Sequence, residues 1–242
     1  MRRFVQALST GVGLPPTLPR ALHDLIAALP DRYNISIRQP AGVLRDVDGR
    51  WDVSELQWGL IPAWEKQPST RYSTQTARLE RAATSRMYRK AWEARHCLVP
   101  MTGYYKWDRA STPRQPYFIQ PSDGNVLFAA GLWERWTDRE SPETHLDSFA
   151  MLTTNNPAIP APLVPDGPVF VGARYLEDWM TCGGRRCMRV LRNCVQPELE
   201  AYPVSRRVAD RRLDSYDLLE PADPAELVGE WGLEEDMLED DE

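Results

Sequence analysis

Cys97-Leu98-Val99, Tyr104-Tyr105-Lys106-Trp107, Tyr117-Phe118-Ile119, Val126 to Trp136 (VLFAAGLWERW) and Ser148 to Thr154 (SFAMLTT) follow one another as short runs rich in β-branched and aromatic residues. Polar or Gly/Pro-containing segments separate them, as expected of successive strands. Gly42-Val43-Leu44, Trp51 to Trp58 and Val169 to Val171 read as further short strands. Leu18, Leu22, Leu25, Ile26 and Leu29 form one helical stripe that stops at Pro30. A second helix is expected over Ala82 to Ala94, with Ala83, Met87 and Ala91 at helical spacing, and a short one over Tyr175 to Met180. The five prolines between Pro157 and Pro168 mark a long surface loop. Many strands with a few interspersed helices predict an α+β fold on a mostly antiparallel sheet.

The chain has 242 residues, 42% hydrophobic and 26% charged, with neither an internal repeat nor a composition shift that would split the body. One domain over residues 1–222 is expected, followed by a disordered acidic tail over 223–242. No apolar run approaches the length that spans a bilayer, and MRRFVQALSTG lacks the apolar core of a signal peptide. A cytoplasmic location, away from membranes, is the expectation. The net charge of -6 is uneven, because Glu230 to Glu242 hold eight acidic residues and neither Lys nor Arg, which leaves the body at +2. An arginine-rich body with nine tryptophans suits phosphate contacts and base stacking on single-stranded nucleic acid.

Cys97, inside an apolar run, reads as a core residue. Cys182, Cys187 and Cys194 sit in CGGRRCMRVLRNC, which invites a zinc reading. That spacing is not a CxxC knuckle, no histidine is near in sequence, and a fourth ligand is not evident. Reduced thiols, with no metal and no cofactor, are the expectation. His23, His96 and His145 are far apart in sequence, and the chain has no G-x-S-x-G elbow and no P-loop.

The order of the segments is more informative. Met1-Arg2-Arg3-Phe4 is followed by Arg32-Tyr33-Asn34-Ile35 and Trp58-Gly59-Leu60-Ile61-Pro62-Ala63-Trp64. Next come Thr76-Ala77-Arg78-Leu79-Glu80, Ala83-Thr84-Ser85-Arg86-Met87, Gly103-Tyr104-Tyr105-Lys106-Trp107, Ala130-Gly131-Leu132-Trp133-Glu134 and Pro203-Val204-Ser205. From residue 1 to about 205 this set resembles the SOS response-associated peptidase (SRAP) family, with its MCGRF, RYN(I/V)AP, WGLIPxW, NARxET, G-(F/W)-(F/Y)-E-W and H-D-R-M-P motifs. The resemblance implies a barrel-like sheet with flanking helices, and a role in the DNA damage response. It also implies capture of abasic-site aldehydes as a thiazolidine on an N-terminal cysteine freed by loss of the first Met.

Each reactive position of that family departs here. The cysteine falls on Arg2, the asparagine of NARxET on Thr76, the glutamate of the G-x-x-E-W turn on Lys106, and the histidine of the H-D-R loop on Val164. Gly167 stands where that loop has its arginine. A guanidinium is not a thiolate nucleophile, and valine transfers no proton. The resemblance further implies that the long side chain of Arg2 keeps Met1 in place. The DNA-binding positions match better: Arg3, Trp64, Arg78 and Arg86 are retained, with Trp58 and Pro62 completing the wall unless Trp58 is core.

Three readings follow. The first is a protein that binds single-stranded or damaged DNA without covalent capture. The second is an abasic-site lyase or cross-linker acting through a Schiff base on Lys106. The third is an interaction protein whose acidic tail covers its own basic face or recruits a protein partner.

Overall fold

The structure, a computed structural model, describes residues 1–9 and 12–223. The described strands are β1 (Arg3–Gln6), β2 (Arg32–Ser36), β3 (Pro40–Val47), β4 (Arg50–Trp58), β5 (Thr76–Arg78) and β6 (His96–Met101). They continue with β7 (Gly103–Trp107), β8 (Pro116–Pro121), β9 (Leu127–Thr137), β10 (His145–Asn155), β11 (Asp166–Pro168) and β12 (Leu199–Pro203). The described α-helices are α1 (Arg20–Ala27), α2 (Leu79–Ala82), α3 (Arg89–Ala94), α4 (Leu176–Thr181) and α5 (Arg185–Asn193).

One sheet is antiparallel throughout, in the order β12-β8-β7-β1-β2. The other runs β10-β4-β3-β6-β9 and closes on itself, since β9 pairs back onto β10. β10 joins β4 and β5 in parallel, the exceptions to an otherwise antiparallel arrangement. The ring closes through the end of β4, whose Gln57 and Trp58 pair with Ser148 and Phe149 of β10. The α+β, barrel-like architecture expected from the sequence is therefore present.

Period-2 alternation explains the layering. Leu98, Ala130, Leu132, Ala150 and Leu152 point into a core capped by Leu22 and Ile26 of α1, Trp179 of α4 and Leu191 of α5. Their neighbours Cys97, Val99, Ala129, Phe149 and Met151 point into a second core shared with Phe4, Ile35, Tyr104 and Ile119 of the antiparallel sheet. Both faces of β6 are thus covered, so it is buried at every position. The β3–β4 hairpin turns at Asp48-Gly49, both at positive φ (52° and 80°), as a two-residue connection between right-twisted strands requires.

Several expectations are corrected. The helix expected over Ala82 to Ala94 is two short ones, α2 and α3. Between them Thr84 Oγ1 donates to the Arg81 carbonyl and Ser85 Oγ accepts from the Met87 amide, local bonds that compete with a continuous helix. Val169 to Val171 is not a continuous strand: pairing with β10 covers Asp166–Pro168, and Phe170 makes an isolated bridge to Ala129. Leu25 on the α1 stripe is exposed. Of the acidic tail only residue 223 is described, so the tail expectation lies outside the described residues. Among the described residues no helix is long and apolar enough to cross a membrane.

The cysteines are also corrected. Cys182 and Cys187, expected as thiols, are joined as a disulfide across the turn between α4 and α5, while Cys97 and Cys194 are free and buried. The fold also brings a histidine to them: His96 Nε2 is 3.5 Å from Cys187 Sγ, although the two residues are far apart in sequence. His96 is bonded to the Trp92 carbonyl at 3.0 Å and tilted against the Trp179 ring at 4.4 Å. Burial pushes its pKa from the ordinary 6.5 down to about 4. The unfolded chain therefore takes up a proton as pH falls below 6.5, while the folded chain does not until about pH 4. Stability should be lost through that window, by up to about 3 kcal/mol from this residue. Denaturant titrations between pH 7 and 4 on wild type and His96→Gln check it. The variant should show the shallower decline, and identical declines would remove His96 from the acid response.

Candidate functional site

A cavity of about 780 Å³ opens where the first residue of β1, the last of β2 and the last three of β7 meet. The registers Arg3↔Ser36 and Arg3↔Tyr105 place Arg3, Ser36 and Tyr105 side by side across the sheet. The loop residue Val164 together with Ala209 and Arg211 form further walls, and Arg109 and Arg114 of the β7–β8 connection reach in. Arg3 is 8% exposed; it donates to Asn34 Oδ1 at 3.0 Å and to the Ala209 carbonyl at 2.5 Å. Burial lowers its pKa, and the neighbouring Arg211 lowers it further.

Lys106 is 7% exposed and donates from Nζ to the main-chain carbonyl of Asp166. Burial depresses its pKa, Asp166 opposes that, and Arg109 and Arg78 add to it. The α-amine of Met1 is pushed down to about 6, first by burial and then by Lys106. The Asp166 carboxylate itself is held by Arg78 at 2.7 Å.

A second feature lies in the loop after β4. Trp64 and Tyr72 line a shallow cleft with Lys66 and Arg71. Arg86 sits over the Trp64 ring at 5.1 Å, and Arg71 over the Tyr72 ring at 5.1 Å. Both rings are exposed, at 37% and 47%. A flat ring backed by a guanidinium is a surface on which an unpaired base can stack while its phosphate is neutralised.

Of the positions singled out in the sequence, Arg2, Arg3, Lys106 and Val164 share the cavity. Trp64 and Arg86 form the stacking pair, and Arg78 reaches the cavity's edge through Asp166. The other three belong to neither feature. Trp58 is fully buried, edge-on to Phe4 at 5.0 Å, with its indole N–H donating to the Gln75 carbonyl at 2.8 Å. It is core, and Pro62 is buried beside it in the chain. For Trp58 this is the core alternative that the sequence reading left open. Thr76 is half-buried in β5, its carbonyl accepting from the Tyr88 hydroxyl at 3.1 Å.

The family model for the SOS response associated peptidase (SRAP) matches residues 15–211. The chain belongs to the SRAP family. It is 25% identical over 193 residues to the abasic site processing protein YoqW of Bacillus subtilis, covering 78% of this chain and 85% of that one. Against the abasic site processing protein YedK of Escherichia coli it is 23% identical over 194 residues, covering 78% and 84%. The yeast abasic site processing protein YMR114C is 32% identical over 127 residues, 52% of this chain but only 33% of that longer one. A solved protein from Bacteroides thetaiotaomicron has the same fold, with a TM-score of 0.68 at 18% identity over 83% of this chain and 90% of its own.

Within this SRAP-family fold, sequence reading missed Ser36, Arg109, Arg114 and Arg211 as cavity residues, and Tyr72 as a partner to Arg71. No local pattern distinguishes them. An exposed arginine in a polar connection reads as a solvated surface until the β1–β2–β7 corner gathers it.

Proposed function

We propose that this SRAP-family protein acts in the DNA damage response by binding single-stranded or abasic-site DNA without covalent capture. The observation that carries the reading is the cavity lining. Arg2 occupies the position of the family's cysteine, and the cavity walls add arginines and Lys106 where the family has an acid. Such a lining binds a phosphate backbone and supplies neither a thiolate nor a carboxylic acid. The Trp64–Arg86 and Tyr72–Arg71 pairs would stack unpaired bases beside it. The relatives' names, abasic site processing proteins, supply the lesion.

A second reading is favoured by the burial of Lys106. Burial raises the fraction of neutral amine, which can add to the aldehyde carbon of an abasic site and expel water to give an imine. Borohydride would deliver hydride to that imine and fix it as a secondary amine.

One experiment separates the readings: incubation with abasic single-stranded DNA, with and without borohydride, read on a denaturing gel. The expected result is a non-covalent shift on native gels and no denaturation-resistant adduct in either lane. An adduct that survives heat without borohydride would overturn the proposal. An adduct seen only with borohydride and abolished by Lys106→Ala would install the Schiff-base reading. One that persists in that variant would place the imine on the Met1 amine.

A further inference from the structure

The cavity holds more positive charge than its own residues balance. Arg2, Arg3, Lys106, Arg109, Arg114 and Arg211 line it, and among the described residues no carboxylate is part of the lining. The two acids whose charge reaches in are already engaged, Asp166 by Arg78 and Asp210 by Arg212, each at 2.7 Å. The two most buried cations rest on neutral acceptors: Arg3 on the Asn34 amide and the Ala209 carbonyl, Lys106 on the Asp166 carbonyl. Two of the five guanidinium donors of Arg3 and one of the three ammonium donors of Lys106 are accounted for in this way. Buried cations without a counter-charge are costly, and an anionic ligand removes that cost.

We infer that the cavity is a seat for a phosphomonoester, and that DNA presents it as a terminal phosphate. A monoester carries about -1.5 to -2 charges near pH 7 and three free acceptor oxygens. An internal phosphodiester carries a single charge, so it leaves more of this lining unbalanced. A monoester's oxygens can reach several charged donors at once, and such charge-assisted bonds are roughly twice as strong as neutral ones. The inference rests on the DNA reading above and narrows its target to a strand end.

The test compares one single-stranded oligonucleotide in three forms, 5′-phosphorylated, 3′-phosphorylated and unphosphorylated, together with a free nucleoside monophosphate, by calorimetric titration of the full chain. One phosphorylated form should bind at least about tenfold tighter than the unphosphorylated strand. Lys106→Met should abolish that difference. Because Lys106 is buried, the exposed double change Arg109→Ala with Arg114→Ala serves as a second variant and should reduce it as well. Arg86→Ala should weaken all three strands alike and preserve their ratio. Equal affinity for the three strands would overturn the inference and leave the DNA reading standing. Binding of the nucleoside monophosphate with no binding of any strand would support a phosphomonoester seat and overturn the DNA reading. Binding of neither would overturn both.

Discussion

Trp58→Ala should destabilise the fold by about 3–5 kcal/mol, whereas Trp64→Ala should change stability by less than about 0.5 kcal/mol. The two tryptophans are the ends of one seven-residue motif, Trp58-Gly59-Leu60-Ile61-Pro62-Ala63-Trp64, and have opposite surroundings. Trp58 is enclosed between Phe4 and the Gln75 carbonyl, so its removal leaves a cavity and an unpartnered carbonyl. Trp64 is 37% exposed and backed by Arg86. Its loss should instead weaken single-stranded DNA binding by roughly 1–3 kcal/mol, the usual value of a base–aromatic stack. Urea denaturation and a fluorescence-anisotropy titration on both variants check the pair. A Trp58 variant of normal stability would contradict the packing, and a Trp64 variant of normal affinity would remove the stacking surface from the DNA reading.

DNA affinity should collapse with salt. Each phosphate neutralised on a single strand contributes a slope of about -0.7 in log affinity against log salt. An interface engaging about four phosphates therefore loses roughly 600-fold in affinity per tenfold rise in salt. Arg86→Ala and Arg78→Ala should each flatten the slope by about one phosphate's share. The ion pair of Arg78 with Asp166 is no obstacle, since its guanidinium is 53% exposed and such pairs exchange partners at little cost. The tail makes the same measurement richer. Eight acidic residues between Glu230 and Glu242, tethered to a +2 body, act at an effective concentration on the order of millimolar. Deleting Glu230 to Glu242 should tighten binding at low salt, with the difference vanishing as the charges are screened. A flat salt profile would exclude a phosphate-based interface. Identical binding by truncated and full-length protein at low salt would exclude autoinhibition, and Trp231, Leu233, Met237 and Leu238 would then point to docking on a partner or back onto the fold.

The strands from Cys97 to Thr154 were legible because alternation is local: each residue's face follows from its neighbour's. The Leu18–Leu29 stripe was legible for the same reason, though α1 is shorter. The ordered motifs carried the family, since spacing along the chain survives in sequence. Closure of the barrel was not locally written, because the pairing of β9 with β10 and the parallel contacts of β10 depend on residues brought from far along the chain. The corner that gathers Arg3, Lys106, Arg109 and Arg211 is of that kind. So is the meeting of His96 with Cys187, 91 positions apart. Residue chemistry and local periodicity are properties of the sequence by itself. Which arginines become a cavity, and which tryptophan becomes core, only the tertiary structure decided, because burial and unbalanced charge arise from the neighbours that the fold supplies.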